Sequence, residues 1–484
     1  MLNRVRSRRS AIVVGGGFSG TLFALLAVAS RGLDVVLVER TREAGRGLAY
    51  GACDPIHLLN VPVARMELGL KPGFAQWLAA SGADLAEALE EAGGDLASAY
   101  VPRTLFGAYL AERLEEAIAA HDGRLRRVRG QVVRVGDRPM PFVQLADGRR
   151  IEGDHVVLAT GNLPPKPPRS RDHGVYDSPL FVPDPWCRAD LNTVPSDAPV
   201  LLIGSGLTMV DVALRLAARG HRGPLWSVSR HGLLPHSHVA AGNPGVEPFL
   251  DPAEAGDPAR ALRLVRAMVA QAAEKGVPWQ KVMDAVRPSA AAVWSNWTRV
   301  AQARFLRHAR TYWDIHRHRM APRIARRLRG LVETGQLRVM AGRLSALEPV
   351  PGGIAATLKL QRTGRTLTLE VLRVINCTGP RSDFSGLAVP PFDGLREAGH
   401  IVPDPLGLGI STRASAVLDR YGHPSDWLFA VGPLTRPSYW EVTAVPEIAV
   451  QVQRLVEALC RTSGPLRRNE AQLLNDFVNL GEGI

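Results

Sequence analysis

The residues best suited to chemistry lie in two glycine clusters. Gly15-Gly16-Gly17-Phe18-Ser19-Gly20 spells G-x-G-x-x-G directly after the apolar run 11–14 and opens a second apolar run. Between a strand and a helix, the first glycine permits a tight turn. The second lets a pyrophosphate approach the backbone, and the third lets the helix pack close. The helix N-terminus adds amide donors and a favourable dipole for phosphate. The next apolar run, DVVLVE, ends at Glu39, nineteen residues after Gly20, and Arg40 follows it. A carboxylate at this place accepts hydrogen bonds from ribose hydroxyls. Gly204-Ser205-Gly206 repeats the turn after VLLI, with Thr208 at the helix start and Met209 where the third glycine would stand. The following run, LWSVSR, ends in Ser229-Arg230. An acid there would repel a 2′-phosphate, whereas Ser and Arg bind it, so NADPH is expected in preference to NADH. His231 is either a further contact to that cofactor or an exposed loop histidine. Asp211, within the helix of this motif, is either a structural hydrogen-bonder or a ligand.

The elements that must position these residues form an internal repeat. AIVVGGGFSG (11–20) and VLLIGSGLTMVD (200–211) are two copies of strand, turn and helix, and VVLATGN (156–162) and VINCTGP (374–380) form a second recurring pair. This order predicts an α/β protein with two Rossmann-like dinucleotide-binding domains, the second inserted in the first. The first would occupy 1–165, with the proline-rich LPPKPP (163–168) beginning the crossing. The second would occupy 197–370. The chain would return at the strand 371–376 and complete the first domain over 371–484. Residues 241–330 read as a helical insertion, a cap suited to forming a substrate pocket beside two cofactors.

Composition narrows the class. The 484 residues are 46% hydrophobic and 22% charged, ordinary for a globular protein of more than one domain. The net charge of +13 comes from scattered arginine; it reflects compositional bias or a field that attracts phosphates and acidic substrates. The four cysteines, Cys53, Cys187, Cys377 and Cys460, form no C-x-x-C or C-x-x-x-x-C pair. That argues against a redox disulfide or zinc site and fits a reducing, cytoplasmic setting. Residues 11–30 carry no charge and follow Arg8-Arg9, which resembles a twin-arginine signal or a membrane span. The four glycines Gly15, Gly16, Gly17 and Gly20 favour a buried strand, turn and helix instead.

The two motifs, Ala159-Thr160-Gly161 and Cys377-Thr378-Gly379 resemble the flavin-dependent monooxygenase and pyridine-nucleotide oxidoreductase superfamily. GLAYGACDPIHLLNVPVARM (47–66), VPRTLFGAYL (101–110), SRHGLLPHSH (229–238), YWDIHRHRMAP (312–322) and YWEVTAVPEI (439–448) make the chain similar, more narrowly, to the bacterial FAD-NAD(P)-binding family. Some of its relatives are similar to amino-acid N-hydroxylases, including the aspartate-oxidising type. The resemblance implies that Gly15, Gly17, Phe18, Ser19, Gly20, Glu39 and Arg40 hold FAD, and that Gly204, Gly206, Thr208, Ser229 and Arg230 hold NADPH. It places His57, Asn60 and Arg103 along the FAD, and Thr160, Gly161 and Gly379 at the crossovers. Gly432 would lie near the ribityl chain, although the next residue is Pro433 where reductase relatives have an Asp. A helix beginning near Trp440 would aim its N-terminus at the flavin. Asn60, Trp440 and Glu441 become candidates for substrate or flavin contact, with packing as the alternative for the last two; Tyr50 would stack on the flavin or pack. The hydroxylase and Baeyer–Villiger fingerprints are not evident in 163–200, where DSPLFVPDPW (177–186) stands instead.

The implied activity is an NADPH-dependent FAD monooxygenase using molecular oxygen, through a flavin C4a-hydroperoxide, on a small nucleophilic amine or an anionic amino acid. Two other readings remain: an NAD(P)H-dependent flavin oxidoreductase serving a quinone or protein acceptor, and a non-catalytic flavin-binding sensor. The basic run 304–329, with His316 and His318, is a solvated helix face or a contact to a cofactor phosphate or acidic substrate. No recognition motif accompanies it, so no nucleic-acid partner is expected. On a helix the two histidines point to different faces, which disfavours a shared metal. Trp294, Trp297 and Trp313 read as core of the cap.

Overall fold

The computed structural model describes residues 9–30, 32–52, 54–121, 123–168, 170, 174–186, 188–239 and 250–461. Residues 11–30 resolve into a strand, Arg9–Val14, and a helix, Phe18–Ala29, split by the glycine turn. Among the described residues no helix is long and apolar enough to cross a membrane.

Arg9–Val14 is an interior strand of a seven-stranded sheet. Leu33–Glu39 and then Leu125–Arg129 lie parallel on one side of it, and His155–Leu158 and then Pro424–Ala430 on the other. The central strands Arg9–Val14, Leu33–Glu39 and His155–Leu158 are largely buried, which is why their cores read as apolar runs rather than alternating ones. One face packs against Phe18–Ala29, Arg103–Ala120 and Val445–Cys460. The other is covered by the three-stranded antiparallel sheet Val132–Gly136, Phe142–Leu145 and Arg150–Glu152, together with the return segment around Phe392 and Leu395. The first domain is therefore built from both ends of the described chain.

The second sheet repeats the plan. Val200–Ile203 lies parallel between Leu225–Ser229 and Arg373–Asn376, with Phe181–Val182 at one edge. Leu337–Val350 continues the parallel order and then pairs antiparallel with Gly353–Leu360. Two expected boundaries move. The strand expected to carry the chain home, 371–376, belongs to the second sheet, because it stands beside Val200–Ile203 as His155–Leu158 stands beside Arg9–Val14. The second recurring pair is thus the same structural position in two domains. The return comes after it, where Leu163 and Arg381 bridge antiparallel and Asn376 Nδ2 donates to Lys166 O, so the two crossing segments run side by side.

The helical insertion also ends earlier than expected. Helices Pro258–Glu274, Trp279–Val286, Ala290–Asn296, Arg299–His308 and Arg310–Arg317 form a cap around Trp294, Trp297 and Phe305. Asp257 caps the first of these by accepting from the amides of Ala259 and Arg260, with Pro258 in the first turn. Pro322–Glu333 is not part of the cap; it packs on Leu207–Ala218 as a crossover helix of the second domain. The expected cap residues 241–249 and the terminal 462–484 lie outside the described residues. So do Cys53 and Cys187.

Candidate functional sites

Each glycine of the first motif has its own reason. Gly15 has a φ of +108°, and a Cβ there would lie 2.5 Å from Ala159 O. A Cβ on Gly20 would sit 1.9 Å from Gly15 O, so any side chain would push the helix off the turn. Gly17 differs: the nearest atom to its Cβ would be Gly47 Cα at 3.5 Å, an ordinary contact. The protein does not forbid a side chain at Gly17; an approaching pyrophosphate would. Gly17 caps Phe18–Ala29 with no side-chain hydrogen bond and no acid in the first turn, leaving the amides to an anion. Beside this turn Thr160 Oγ1 is buried without a partner, and Gly161, at φ +69°, has open space around it. These residues fit a dinucleotide.

Glu39 stands where a ribose would need it. Its carboxylate accepts from Gly16 N at 2.7 Å and from Thr41 N and Oγ1, both at 2.9 Å. Two carboxylate oxygens offer about four lone-pair positions, so roughly one is left for a hydroxyl. Arg40 lies exposed after it. Gly432 is held against the turn: a Cβ there would meet Ser19 Oγ at 2.6 Å. A buried residue that sequence reasoning missed fixes this contact. Gln451 Oε1 accepts from Gly432 N at 2.8 Å, while its Nε2 donates to Thr435 Oγ1 at 2.8 Å. A signal existed, because Gln451 falls among Val445, Ile448, Val452 and Leu455 on the apolar face of helix Val445–Cys460. That helix starts at Val445, so the expected start near Trp440 is corrected; Trp440 lies in the preceding turn.

The second turn matches the first where it must. Gly204 has a φ of +118°, and its Cβ would lie 2.4 Å from Cys377 O, the counterpart of Ala159 O. Gly206 opens helix Leu207–Ala218 with no side-chain cap and nothing within 4 Å of where its Cβ would be. Gly379, at φ +86°, likewise faces open space, as Gly161 does. Thr208 is half-buried in the first turn, and Met209, in place of the third glycine, is fully buried in the core. Ser205 Oγ donates its one proton to Leu233 O at 2.6 Å, so Ser229 Oγ donates to Ser205 Oγ at 2.7 Å and accepts from Gly232 N at 3.0 Å. Arg230 is exposed beside it.

Two residues expected along the FAD, His57 and Arg103, have side-chain partners at the seam between the domains. Arg103 Nη1 and Nη2 reach Asp211 Oδ2 and Oδ1 at 2.8 and 3.3 Å, and its Nε donates to Leu58 O. His57 Nδ1 accepts from Asp54 N, which leaves Nε2–H to donate to Asp211 O at 3.1 Å. Burial lowers the pKa of this imidazole. His57 and Arg103 thus tie the first domain to the second motif's helix, and Asp211 is a structural hydrogen-bonder. Asn60 is half-buried at the same seam, its carbonyl accepting from His238 Nε2 at 2.9 Å. A second clasp joins Arg323 and Arg327 to Glu87, and Arg326 to Glu91.

Trp440 and Glu441 are buried at 3% exposure each, where the cap meets the return segment. Trp440 stacks on Trp294 with ring centroids 4.6 Å apart. Glu441 is engaged by Trp313 Nε1 and Arg317 Nε, each at 2.9 Å. Both residues hold the cap in place. Tyr50 packs against Phe106, 5.0 Å between centroids, beside Phe18.

Comparison with known proteins agrees with this geometry. The FAD-NAD(P)-binding family model matches residues 12–163. The search of curated proteins finds no match. Among solved structures, the chain is similar to an L-lysine 6-monooxygenase from Pseudomonas syringae, with 18% identity, a TM-score of 0.63 and coverage of 93% of this chain and 99% of that one. An ornithine N-hydroxylase from Kutzneria sp. 744, determined with reduced FAD, NADP+ and L-ornithine, matches at 15% identity and TM-score 0.62, over 93% and 99%. The FAD-bound cadaverine monooxygenase of desferrioxamine biosynthesis from Erwinia amylovora matches at 14% and 0.66, over 96% and 98%. These identities speak for a shared fold. Residues 12–163 thus match the FAD-NAD(P)-binding family model, and the chain has the fold that these solved structures share.

Proposed function

We propose that the protein is an NADPH-dependent FAD monooxygenase that oxygenates a small amine. The observation that carries the proposal is the pairing of two glycine turns, each with its second glycine open to a pyrophosphate, in the fold of the structures described above. On this reading Gly15, Gly17, Gly20, Glu39, Thr160 and Gly432 hold FAD, and Gly204, Gly206, Ser229 and Arg230 hold NADPH. Bound FAD would supply hydride acceptance from NADPH and activation of oxygen. The chain's own part is to orient both cofactors, to keep the two domains in register through Arg103 and Asp211, and to keep water away with the cap. The balance is amine, O2, NADPH and a proton to hydroxylamine, water and NADP+.

Stopped-flow spectroscopy of the FAD-loaded protein tests this. NADPH is expected to bleach the flavin faster than NADH does. On mixing with oxygen, the oxidised spectrum should return after a delay and without stoichiometric hydrogen peroxide when an amine substrate is present. Immediate return with peroxide, whatever amine is supplied, would favour the oxidoreductase reading.

A further inference from the structure

The loop that leaves strand Leu225–Ser229 is fastened to three parts of the protein. At its start Ser205 Oγ, in the second glycine turn, donates to Leu233 O at 2.6 Å, and Gly232 N donates to Ser229 Oγ. Further along, His236 N donates to Ile315 O at 3.0 Å, Met320 N to His236 O at 2.8 Å and His238 N to Met320 O at 2.9 Å. These backbone bonds seat the loop against the last cap helix, Arg310–Arg317, and the residues that follow it. His238 Nε2 then reaches Asn60 O of the first domain. Ring contacts run along the same seam. The His236 ring centroid lies 4.6 Å from that of His316 and 5.2 Å from that of Trp279. Towards the glycine turn, His231 meets Tyr312 of the cap, with centroids 5.9 Å apart and 39° between the planes. Trp313 and Arg317 turn inward to Glu441, whereas Tyr312 is 50% exposed. Location says what this open pair of rings can serve. His231 directly follows Ser229 and Arg230, the residues expected to take the 2′-phosphate. That phosphate and the adenine are carried by the same ribose, so a phosphate held there brings the base to the next residue of the loop.

We infer that Tyr312 of the cap and His231 of the loop together form the shelf for the adenine of NADPH, so that the cap is itself part of the nucleotide site. A base stacks on an aromatic side chain through its π-face, and the contact excludes water from both rings. The two rings belong to different bodies. His231 is tied through the loop to the second glycine turn, and Tyr312 is tied through helix Arg310–Arg317 to the rest of the cap. A base resting on both favours the docked position of the cap over any other, because only that position offers both rings. The adenine end of the cofactor, not its nicotinamide, thereby holds the cap closed. This inference rests on the assignment of NADPH to the second turn and adds a residue from the cap to that site.

The test uses the FAD-loaded protein and three kinds of probe: 2′,5′-ADP, the pair NADP+ and NAD+, and reduced nicotinamide mononucleotide, which has no adenine. Binding of the first three is measured by calorimetry. Tyr312→Ala should weaken 2′,5′-ADP about fivefold or more, as expected for a lost base–aromatic stack. NADP+ and NAD+ should lose the same factor, because both carry adenine. Tyr312→Phe should bind all three as the parent does. Anaerobic flavin reduction by the mononucleotide should proceed at the same rate in parent and variants. Amide exchange over 310–317 should slow when the parent binds 2′,5′-ADP and should not slow in Tyr312→Ala. Unchanged affinity for 2′,5′-ADP in Tyr312→Ala, or equal loss in Tyr312→Phe, overturns the inference. A loss confined to NADP+ overturns it as well, since Tyr312 would then serve the 2′-phosphate. Slowed reduction by the mononucleotide in Tyr312→Ala would mean a general disturbance of the site, and exchange in the cap that ignores 2′,5′-ADP would mean that the cap takes no part; either result overturns it. Failure of the parent protein to bind 2′,5′-ADP or NADP+ at all would instead sink the NADPH assignment itself.

Discussion

Arg103 of the first domain grips Asp211 of the second in a two-pronged ion pair, with the shorter contact at 2.8 Å and both side chains largely buried. The pair joins the segment entering helix Arg103–Ala120 to the helix that opens with Gly206. Any movement of one dinucleotide site against the other must break or carry this contact. Arg103→Ala leaves a buried carboxylate without its cation, and breaking such a pair costs about 3–5 kcal/mol. A thermal melt should register this as a marked loss of stability. The double variant Arg103→Leu with Asp211→Leu should recover most of it, and strict additivity of the two single changes would rule out the coupling.

Gly20→Ala and Gly206→Ala should behave differently. The first places a methyl group 1.9 Å from Gly15 O and should abolish FAD retention. The second meets no protein atom within 4 Å, so the fold and FAD content should survive while NADPH binding weakens. Equal loss of FAD in both would contradict the assignment of the two turns.

Gln451→Leu removes the acceptor for Gly432 N and the donor to Thr435 Oγ1 in a buried setting. Each orphaned group costs about 1–3 kcal/mol. The variant should release FAD more readily on dilution, measured by recovery of free-flavin fluorescence. Retention like that of the parent protein would mean that Gln451 does not position Gly432.

Arg230→Ala should weaken NADPH far more than NADH, because only NADPH carries the 2′-phosphate that a guanidinium would grip. Dissociation constants for both nucleotides decide it. An equal effect on the two would remove the cofactor preference.

Much of this architecture was legible in the sequence because glycine turns report backbone geometry directly. Gly15 and Gly204 take left-handed φ values and press on Ala159 O and Cys377 O, so the motif and its partner strand recur together. The fate of 371–376 was not legible: a buried apolar strand carries no mark of the sheet it joins, and only its pairing with Val200–Ile203 decides. His57 and Arg103 show what a motif leaves open. A polar residue near a cofactor motif suits a ligand, but it suits a partner across a domain seam equally well, and Asp211 supplied one. Trp440 and Glu441 were placed beside the flavin from their position before the last helix. The cap, built from residues more than a hundred positions away, buries both.

Acid should loosen the domain seam. Burial depresses the His238 pKa from 6.5 to about 4, with Arg319 adding to the effect, while its Nε2 donates to Asn60 O. A neutral histidine of this kind contributes fully above pH 6.5, and its contribution falls as pH drops towards 4, because the unfolded chain takes up the proton first. Apparent melting temperature should fall across that window, and His238→Gln should flatten the fall. An unchanged pH profile in the variant would assign the loss to other groups, such as His57, which burial shifts in the same direction.

The most direct test of the central claim is isotopic. The FAD-loaded protein, NADPH and a panel of amino acids and amines are incubated under 18O2, and hydroxylamine product is measured against NADPH consumed. The account predicts one amine in the panel that yields product carrying one 18O atom for each NADPH oxidised. NADPH oxidation that yields only hydrogen peroxide with every amine, while a quinone accepts the electrons efficiently, would contradict it.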